Sequence, residues 1–485
     1  MNETLKQLLS LAIAIGLFIL FQNINPFHVS IQAQKVIAVA FLMITLWITE
    51  AIPMPVVSLL PLILFPLMGI AKIEEVAVPY ADKIIFLFMG GFFLSVAIEK
   101  WNLHKRIALS IVQLTGTSGD KIILGFIIAT GLLSMWLSNT ATTMMMFPIA
   151  GSVIHVMEQN HDSNKHNIAN FSVAMMLCIA YSSNFGGIAT IIGTPPNVAY
   201  VAQLQKHYNY SFEFSQWMLI CTPLSIIILF SLYIVLTKVL YKNKIKANSE
   251  TKQLIADELK KLGKLSIAEK RVLIIFCITA LLWIFKDLIN QLKWVKLDDT
   301  IIALLAGVAL FSVNAGKTEN NISLLTWKDT EKMAWGILLL FGGGIALASQ
   351  LEKVGLITKL GNWLAIYAGN NTFLLVFLIA FMSIFISEIM SNVAQVIVFA
   401  PVVAGIADAL HMNPILLGLP MTLGASCASM LPMGTPPNAI VFASGKLKIK
   451  DMIKTGLVMN IICGILITLF CWYFVPTILN AIQIK

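Results

Sequence analysis

One five-residue word occurs twice in this chain, as Gly193-Thr194-Pro195-Pro196-Asn197 and as Gly434-Thr435-Pro436-Pro437-Asn438. Each copy lies inside an apolar stretch, 167–203 and 412–445, that otherwise has membrane-spanning character. A proline inside a helix removes a hydrogen bond and costs about 3 kcal/mol, so two in succession end the helix locally. In a bilayer, backbone broken in this way is tolerated only where protein or a water-filled cavity receives its polar groups. Two such breaks in one chain predict a duplicated transporter with binding chemistry at each break.

Composition supports that class. The 485 residues are 58% hydrophobic and only 12% charged, where a soluble domain is nearer 25% charged. The expected fold is therefore an all-α polytopic membrane protein. The net charge of +9 does not signal nucleic acid, because the basic residues sit in loops between apolar segments and only two are arginines, Arg106 and Arg271. No basic stripe is interleaved with aromatics. The six cysteines (Cys178, Cys221, Cys277, Cys427, Cys463, Cys471) fall in apolar segments without CxxC or histidine pairing, and are read as packing residues. An apolar run from Leu8 to Phe21 has no small-residue cleavage site after it and is expected to be a retained first span.

Segments of spanning length fall at 5–22, 35–52, 53–70, 82–100, 167–203, 214–240, 269–292, 298–314, 334–352, 412–445 and 453–478, an expectation of eleven spans. Two further stretches, 119–157 and 371–408, are too long for one span and too short for two. Each has a polar centre, Ser138-Asn139-Thr140 and Ser391-Asn392-Val393. Two half-helices meeting at a polar tip are expected to form a re-entrant hairpin. The segment 241–271 is read as one long lysine-rich loop. With a cytoplasmic N-terminus and eleven spans it lies inside, as do most of the chain's Lys and Arg residues, in accord with the positive-inside rule.

The repeat keeps register. Phe88 pairs with Phe341 and Ser138 with Ser391 at an offset of 253, and Thr194 pairs with Thr435 at 241. Each half reads span, amphipathic connector, hairpin, broken span, further span. The odd number of spans between the two starts inverts the second half, so the first hairpin opens from the cytoplasm and the second from outside. The expected division is scaffold at 1–81 and 214–333, transport elements at 82–213 and 334–445, and a last span at 446–485. Half-helix N-termini suit a carboxylate, and unwound carbonyls suit a hard cation such as sodium. No Lys or Arg lies in either tip or either break, so an anionic substrate needs co-bound cations to offset its desolvation.

With two SNT-type tips and two (G/A)-(T/S)-P-P-N breaks in this order, the chain resembles the divalent anion:sodium symporter family over nearly its whole length. The resemblance implies carriage of di- and tricarboxylates, sodium as the co-transported ion, a homodimer in the plasma membrane, and an elevator-type motion of the transport domain. Carried over by motif, it implies one sodium site at Ser134, Ser138, Asn139 and the Gly193 region. A second would use Ser387, Asn392 and carbonyls near Met390 and Gly434. Substrate carboxylates are expected among Ser138, Asn139, Thr140, Thr194 and Pro195 and, from the other half, Ser391, Asn392, Val393, Thr435 and Pro436. Val393 departs from the pattern, since it lacks the hydroxyl that Thr140 has. One lost donor is worth about 0.5–1.5 kcal/mol.

Other residues receive plainer readings. Glu388 is an intramembrane acid, expected to brace the hairpin through backbone hydrogen bonds, with cation attraction or a proton relay as the functional alternative. Glu50 reads as a span end, Met144-Met145-Met146 as core filler, and His155, His161 and His166 as loop histidines. Ser182-Ser183-Asn184 and Gly186-Gly187 read first as close-packing residues, with a part in the cation site second. The leading function is sodium-coupled import of C4 dicarboxylates such as succinate, malate and fumarate. The alternative is a sodium-independent dicarboxylate or citrate exchanger of the same fold. Neither HExxH nor GxSxG occurs, so an intramembrane enzyme is not expected.

Overall fold

The computed structural model describes residues 3–159, 165–208, 210, 212–245, 249–293, 295–316, 322–368 and 371–481. Among them the regular elements are all helical, apart from an isolated bridge between Asn314 and Ser323. Helices α1 (Glu3–Asn23) and α2 (Ile31–Thr49) pair antiparallel, with Gln7 donating to the Ala51 carbonyl at 2.8 Å. Glu50 closes α2 in the left-handed region at φ 50°, as a span end should. The stretch expected as one span at 53–70 is instead split into α3 (Met54–Val57) and α4 (Leu60–Leu67). The cause is Pro61: it has no N–H, and its ring excludes the carbonyl of Val57, where α3 stops.

α5 (Ile73–Ala77) leads to α6 (Lys83–Lys100), whose first turn is capped by Asp82 accepting from the Ile84 N–H at 3.0 Å. α7 (Leu103–Thr115) is the expected amphipathic connector, burying Leu103, Ala108, Leu109 and Val112. The first hairpin stretch becomes α8 (Gly119–Ser134) and α9 (Asn139–Gln159), and the first broken span becomes α10 (Lys165–Gly187) and α11 (Pro195–Tyr208). α12 (Phe214–Ile234) follows. The lysine-rich segment is not loop throughout, because α13 (Ser249–Lys261) forms within it. Ile255 is buried there and α13 packs on α7 and α9; an apolar stripe with Leu254 and Leu259 is hidden among the lysines.

The order then repeats. α14 (Ile267–Gln291) and α15 (Asp299–Ser312) precede α16 (Trp335–Lys353), connector α17 (Leu356–Ala368), hairpin arms α18 (Thr372–Ser387) and α19 (Asn392–Ala409), and the broken pair α20 (Pro414–Ala425) and α21 (Pro436–Phe442). α22 (Ile449–Leu469) and α23 (Val475–Ala481) end the described chain. Ten helices among the described residues are long and apolar enough to cross a membrane. They do not match the eleven expected spans one for one. Two of the ten are the hairpin arms α9 and α19, while the segments 53–70, 298–314 and 412–445 hold only shorter apolar helices.

The halves interleave. α11 of the first break packs on α19 of the second hairpin, and α21 of the second break packs on α9 of the first. Both outer ends of the first hairpin meet the chain around α12 and α22: Asp120 reaches Lys238 and Asn243, and Glu158 reaches Lys446 at 2.6 Å. At the far end of the second hairpin, Asp408 bonds His207 at 2.9 Å, and His207 also meets Glu352 of α16 at 3.0 Å. Cys178, Cys221, Cys427, Cys463 and Cys471 are buried free thiols, while Cys277 is exposed. No group of metal-ligating His, Cys, Asp or Glu occurs among the described residues; His161 lies outside them.

Candidate functional site

The turns between α8 and α9 and between α18 and α19 converge, with the two proline breaks, on one cavity of about 1540 Å³. Its wall contains Ser138, Asn139, Thr140, Thr194 and Pro195 from the first half and Ser391, Asn392, Val393, Thr435 and Pro436 from the second. All ten residues expected at the substrate thus surround one space. The rest of the lining carries Lys6, Lys100, Lys105 and Lys332 beside Glu50 and Glu99. No lysine or arginine belongs to either tip, whose polar groups are amides, hydroxyls and backbone.

In the first half, Ser134 ends α8 and Asn139 begins α9, so the intervening turn folds one against the other. Ser134 Oγ lies 2.8 Å from Asn139 Oδ1 and 2.7 Å from the Ser183 carbonyl. The Gly193 carbonyl stands close by: a Cβ placed on Gly187 would fall 2.4 Å from Asn139 Oδ1 and 3.2 Å from Gly193 O. A side chain at 187 would therefore press on Asn139 Oδ1. Ser138 turns elsewhere, with its Oγ accepting from the Ala141 N–H at 3.2 Å and capping the new helix.

The second half repeats the Ser–Asn pair at the same offset of 253, with its third oxygen, the Ala425 carbonyl, at an offset of 242 from that of Ser183. Ser387 Oγ is 2.6 Å from Asn392 Oδ1 and 2.6 Å from the Ala425 carbonyl. The asparagines of the two words act as internal braces. Asn197 Nδ2 donates to the Thr190 carbonyl at 2.8 Å and the Gly187 carbonyl at 3.2 Å. Asn438 Nδ2 donates to the Leu431 carbonyl at 3.1 Å. A side-chain amide so placed replaces the hydrogen bonds that the prolines abolish.

Each trio is rich in oxygen and poor in hydrogen. Ser134 Oγ, Asn139 Oδ1 and Ser183 O share one hydroxyl proton, and so do Ser387 Oγ, Asn392 Oδ1 and Ala425 O. One proton serves one acceptor at a time, leaving lone pairs turned inward on a buried point. Hard cations take such oxygen sets at short distance. Gly193 stands beside the first cluster through its carbonyl, while Met390 and Gly434 line the cavity.

Other residues take part as well; for Asn184 the sequence reads close packing first and a part in the cation site second. Asn184 lines the cavity and joins the halves, its Nδ2 donating to Thr435 Oγ1 at 3.0 Å and its Oδ1 lying 3.5 Å from Asn139 Nδ2. Its neighbours Ser182, Ser183 and Gly186 mark a small-residue stretch, which hid the one side chain long enough to cross. Trp136, inside the first turn, stacks against Phe214 and Trp283 and meets Phe276 edge-on at 4.9 Å. Asn460 on α22 bonds Glu388 at 2.7 Å, which nothing in the local sequence indicates. Glu388 braces the turn as expected, accepting from the N–H groups of Ser429, Met430 and Leu431 at 2.7, 2.8 and 2.9 Å.

A bundle of apolar helices whose broken backbone converges on one cavity has the architecture of a membrane transporter. The family described as sodium:sulfate symporter transmembrane region matches residues 3–479, and the chain belongs to it. That is a family of transporters rather than enzymes, and it bears out the resemblance read from the four motifs. The chain is 39% identical over 480 residues to the sodium-dependent dicarboxylate transporter SdcS of Staphylococcus saprophyticus, covering 98% of this chain and 92% of the relative. It is 38% identical to SdcS of Staphylococcus aureus with the same coverage. The fold is also similar to that of the YdaH transporter of Alcanivorax borkumensis (TM-score 0.57, 14% identity, 81% of this chain and 85% of that one). MtrF of Neisseria gonorrhoeae is similar too (TM-score 0.56, 12% identity, 84% and 85%).

Proposed function

We propose that this protein is a secondary transporter that imports C4 dicarboxylates, such as succinate, malate and fumarate, together with sodium ions. The two mirrored oxygen trios carry the reading, at Ser134–Asn139–Ser183 and Ser387–Asn392–Ala425. Each is suited to one sodium ion, and both stand beside a cavity whose polar tips hold no fixed cation. A dicarboxylate between Asn139-Thr140 and Asn392, with Thr194 and Thr435 contributing from the breaks, gains its counter-charge from those ions. Coupling follows from that need: neither partner is well solvated there alone. The names of the staphylococcal relatives support the same substrate class and ion.

In this reading the chain has eleven spans and two re-entrant hairpins and works as a homodimer in the plasma membrane with its N-terminus in the cytoplasm. The stretches 82–213 and 334–445 carry the site across as an elevator, held by scaffold at 1–81 and 214–333. The cavity wall includes Lys6, Lys100, Lys105 and Lys332, which this topology puts on the cytoplasmic side, so the conformation described is inward-open. Proteoliposomes supplied with labelled succinate test the proposal. An imposed inward sodium gradient should drive uptake with no internal dicarboxylate. Uptake that requires internal dicarboxylate and ignores sodium would replace symport by exchange.

A further inference from the structure

Asn184 is a buried amide, 1% exposed, that borders the cavity and reaches from the first half of the chain into the second. A chain of hydrogen bonds fixes which way its amide points. Asn139 turns its Oδ1 toward Ser134 Oγ at 2.8 Å, which directs its Nδ2 toward Asn184 Oδ1 at 3.5 Å. The Asn184 NH2 group is left for the other side, where Nδ2 donates to Thr435 Oγ1 at 3.0 Å. An amide accepts at one end and donates at the other, so this order of contacts admits one orientation.

The receiving hydroxyl is fully engaged as an acceptor. Thr435 Oγ1 accepts from Asn184 Nδ2 at 3.0 Å and from the Asn438 backbone N–H at 3.3 Å. A hydroxyl has two lone pairs and one proton. Both lone pairs are thus in use, and the proton has no acceptor among the described residues. Thr435 lines the cavity, so what it offers there is a donor. Such a group suits a carboxylate oxygen and not a cation, which would need a lone pair. The arrangement is one-sided. Ala425 and Ser426, which match Asn184 at offsets of 241 and 242, carry no amide to offer Thr194.

We infer that Asn184 is a positioning residue that presets the Thr435 hydroxyl as a donor to the substrate carboxylate. This rests on the dicarboxylate reading of the cavity. Without the amide, one lone pair of Thr435 is released and the hydroxyl is free to rotate, so each binding event must order it again. A donor already aimed avoids that cost, which is the gain of preorganisation. The contact with Asn139 carries the same order back to the first oxygen cluster. A cation that holds Asn139 Oδ1 also holds the Asn184 amide, so two side chains tie the first cation site to a substrate contact of the second half.

The test is uptake by proteoliposomes over a range of succinate concentrations at saturating sodium, for the wild type, Asn184→Ala, Thr435→Val and the double variant. Asn184→Ala should raise half-saturating succinate about three- to tenfold, the worth of one hydrogen bond, with a smaller effect on the maximal rate. Thr435→Val should raise it at least as much. Adding Asn184→Ala to Thr435→Val should then change it by less than about twofold, because the amide has no hydroxyl left to aim. In a Thr435→Ser background, which keeps the hydroxyl, the effect of Asn184→Ala should persist. Should a variant carry no measurable flux, the shift in thermal midpoint of the purified protein on adding succinate with sodium gives the same comparison without transport. Unchanged half-saturating succinate in Asn184→Ala, or effects of the two substitutions that multiply in the double variant, overturns the inference. If the wild type neither takes up succinate nor is stabilised by it, the dicarboxylate reading fails instead, and the two failures are distinct.

Discussion

Gly187→Ala probes the first oxygen cluster where it is tightest. The added methyl would sit 2.4 Å from Asn139 Oδ1 and 3.2 Å from the Gly193 carbonyl, against an ordinary contact of 3.4 Å or more. Asn139 Oδ1 must retreat by roughly 1 Å, the difference between that contact distance and the van der Waals norm, and its 2.8 Å contact with Ser134 is lost. Overpacking of this kind costs about 1–3 kcal/mol. Since 1.4 kcal/mol is tenfold, cation affinity at this cluster should fall by about fivefold to 150-fold. The second half gives an internal comparison. Ala428 stands at the position equivalent to Gly187 and is fully buried without disturbing its own trio, so the close approach to the asparagine is a feature of the first half. Gly151→Ala is the control, because a Cβ there meets nothing within 4 Å. The assay is sodium-driven succinate uptake with the thermal midpoint of the purified protein measured alongside. A stable Gly187→Ala protein with wild-type sodium dependence would refute the placement of the first cation site.

Other outcomes can be checked alongside. Asn139→Ala and Asn392→Ala should each abolish uptake while the protein still assembles, as read by chemical crosslinking; normal transport by either would move the site elsewhere. Lys286→Met leaves Glu213 and Asp299, now 3.4 and 3.1 Å from Lys286 Nζ, facing one another without a cation. It should cost on the order of 3 kcal/mol, seen as a lowered thermal midpoint. At the start of α12, burial pushes the Glu213 carboxyl above its ordinary value; Lys286 opposes this, and Asp287 and Asp299 add to it. The folded protein therefore holds that proton more tightly than the unfolded chain. Its contribution is fully present below the ordinary glutamate value and is lost as pH rises through the raised one. The stability of wild type relative to Glu213→Gln should accordingly increase on acidification from neutral toward the ordinary glutamate value, and a flat difference in thermal midpoint would count against it.

The sequence was most legible where chemistry is forced by local backbone. Pro195-Pro196 and Pro436-Pro437 cannot lie inside a continuous helix, and each pair instead opens a new one, α11 and α21, after the break. The same logic at Pro61 was available but went unapplied, and the segment 53–70 is two helices as a result. Composition hid α13, because lysines dominate a stretch whose apolar stripe rests on a few residues, Leu254, Ile255 and Leu259. Ser134 and Asn139 could be paired from spacing, as could Ser387 and Asn392, because a turn between half-helices brings residues five apart together. Their third oxygen could not: Ser183 and Ala425 contribute carbonyls, and a carbonyl has no signature in sequence.

By itself, then, the sequence determined the class, the duplicated order of elements and the residues at each break, since proline chemistry and apolar length act within a few residues. Tertiary structure decided which break faces which hairpin. The crossing of α11 onto α19 and of α21 onto α9 puts Asn184 against Thr435 and makes two distant words one cavity. It also decided the role of Glu388, whose four donors come from residues 41, 42, 43 and 72 positions away. Contacts of that range depend on how helices pack in three dimensions, and no periodicity along the chain encodes them.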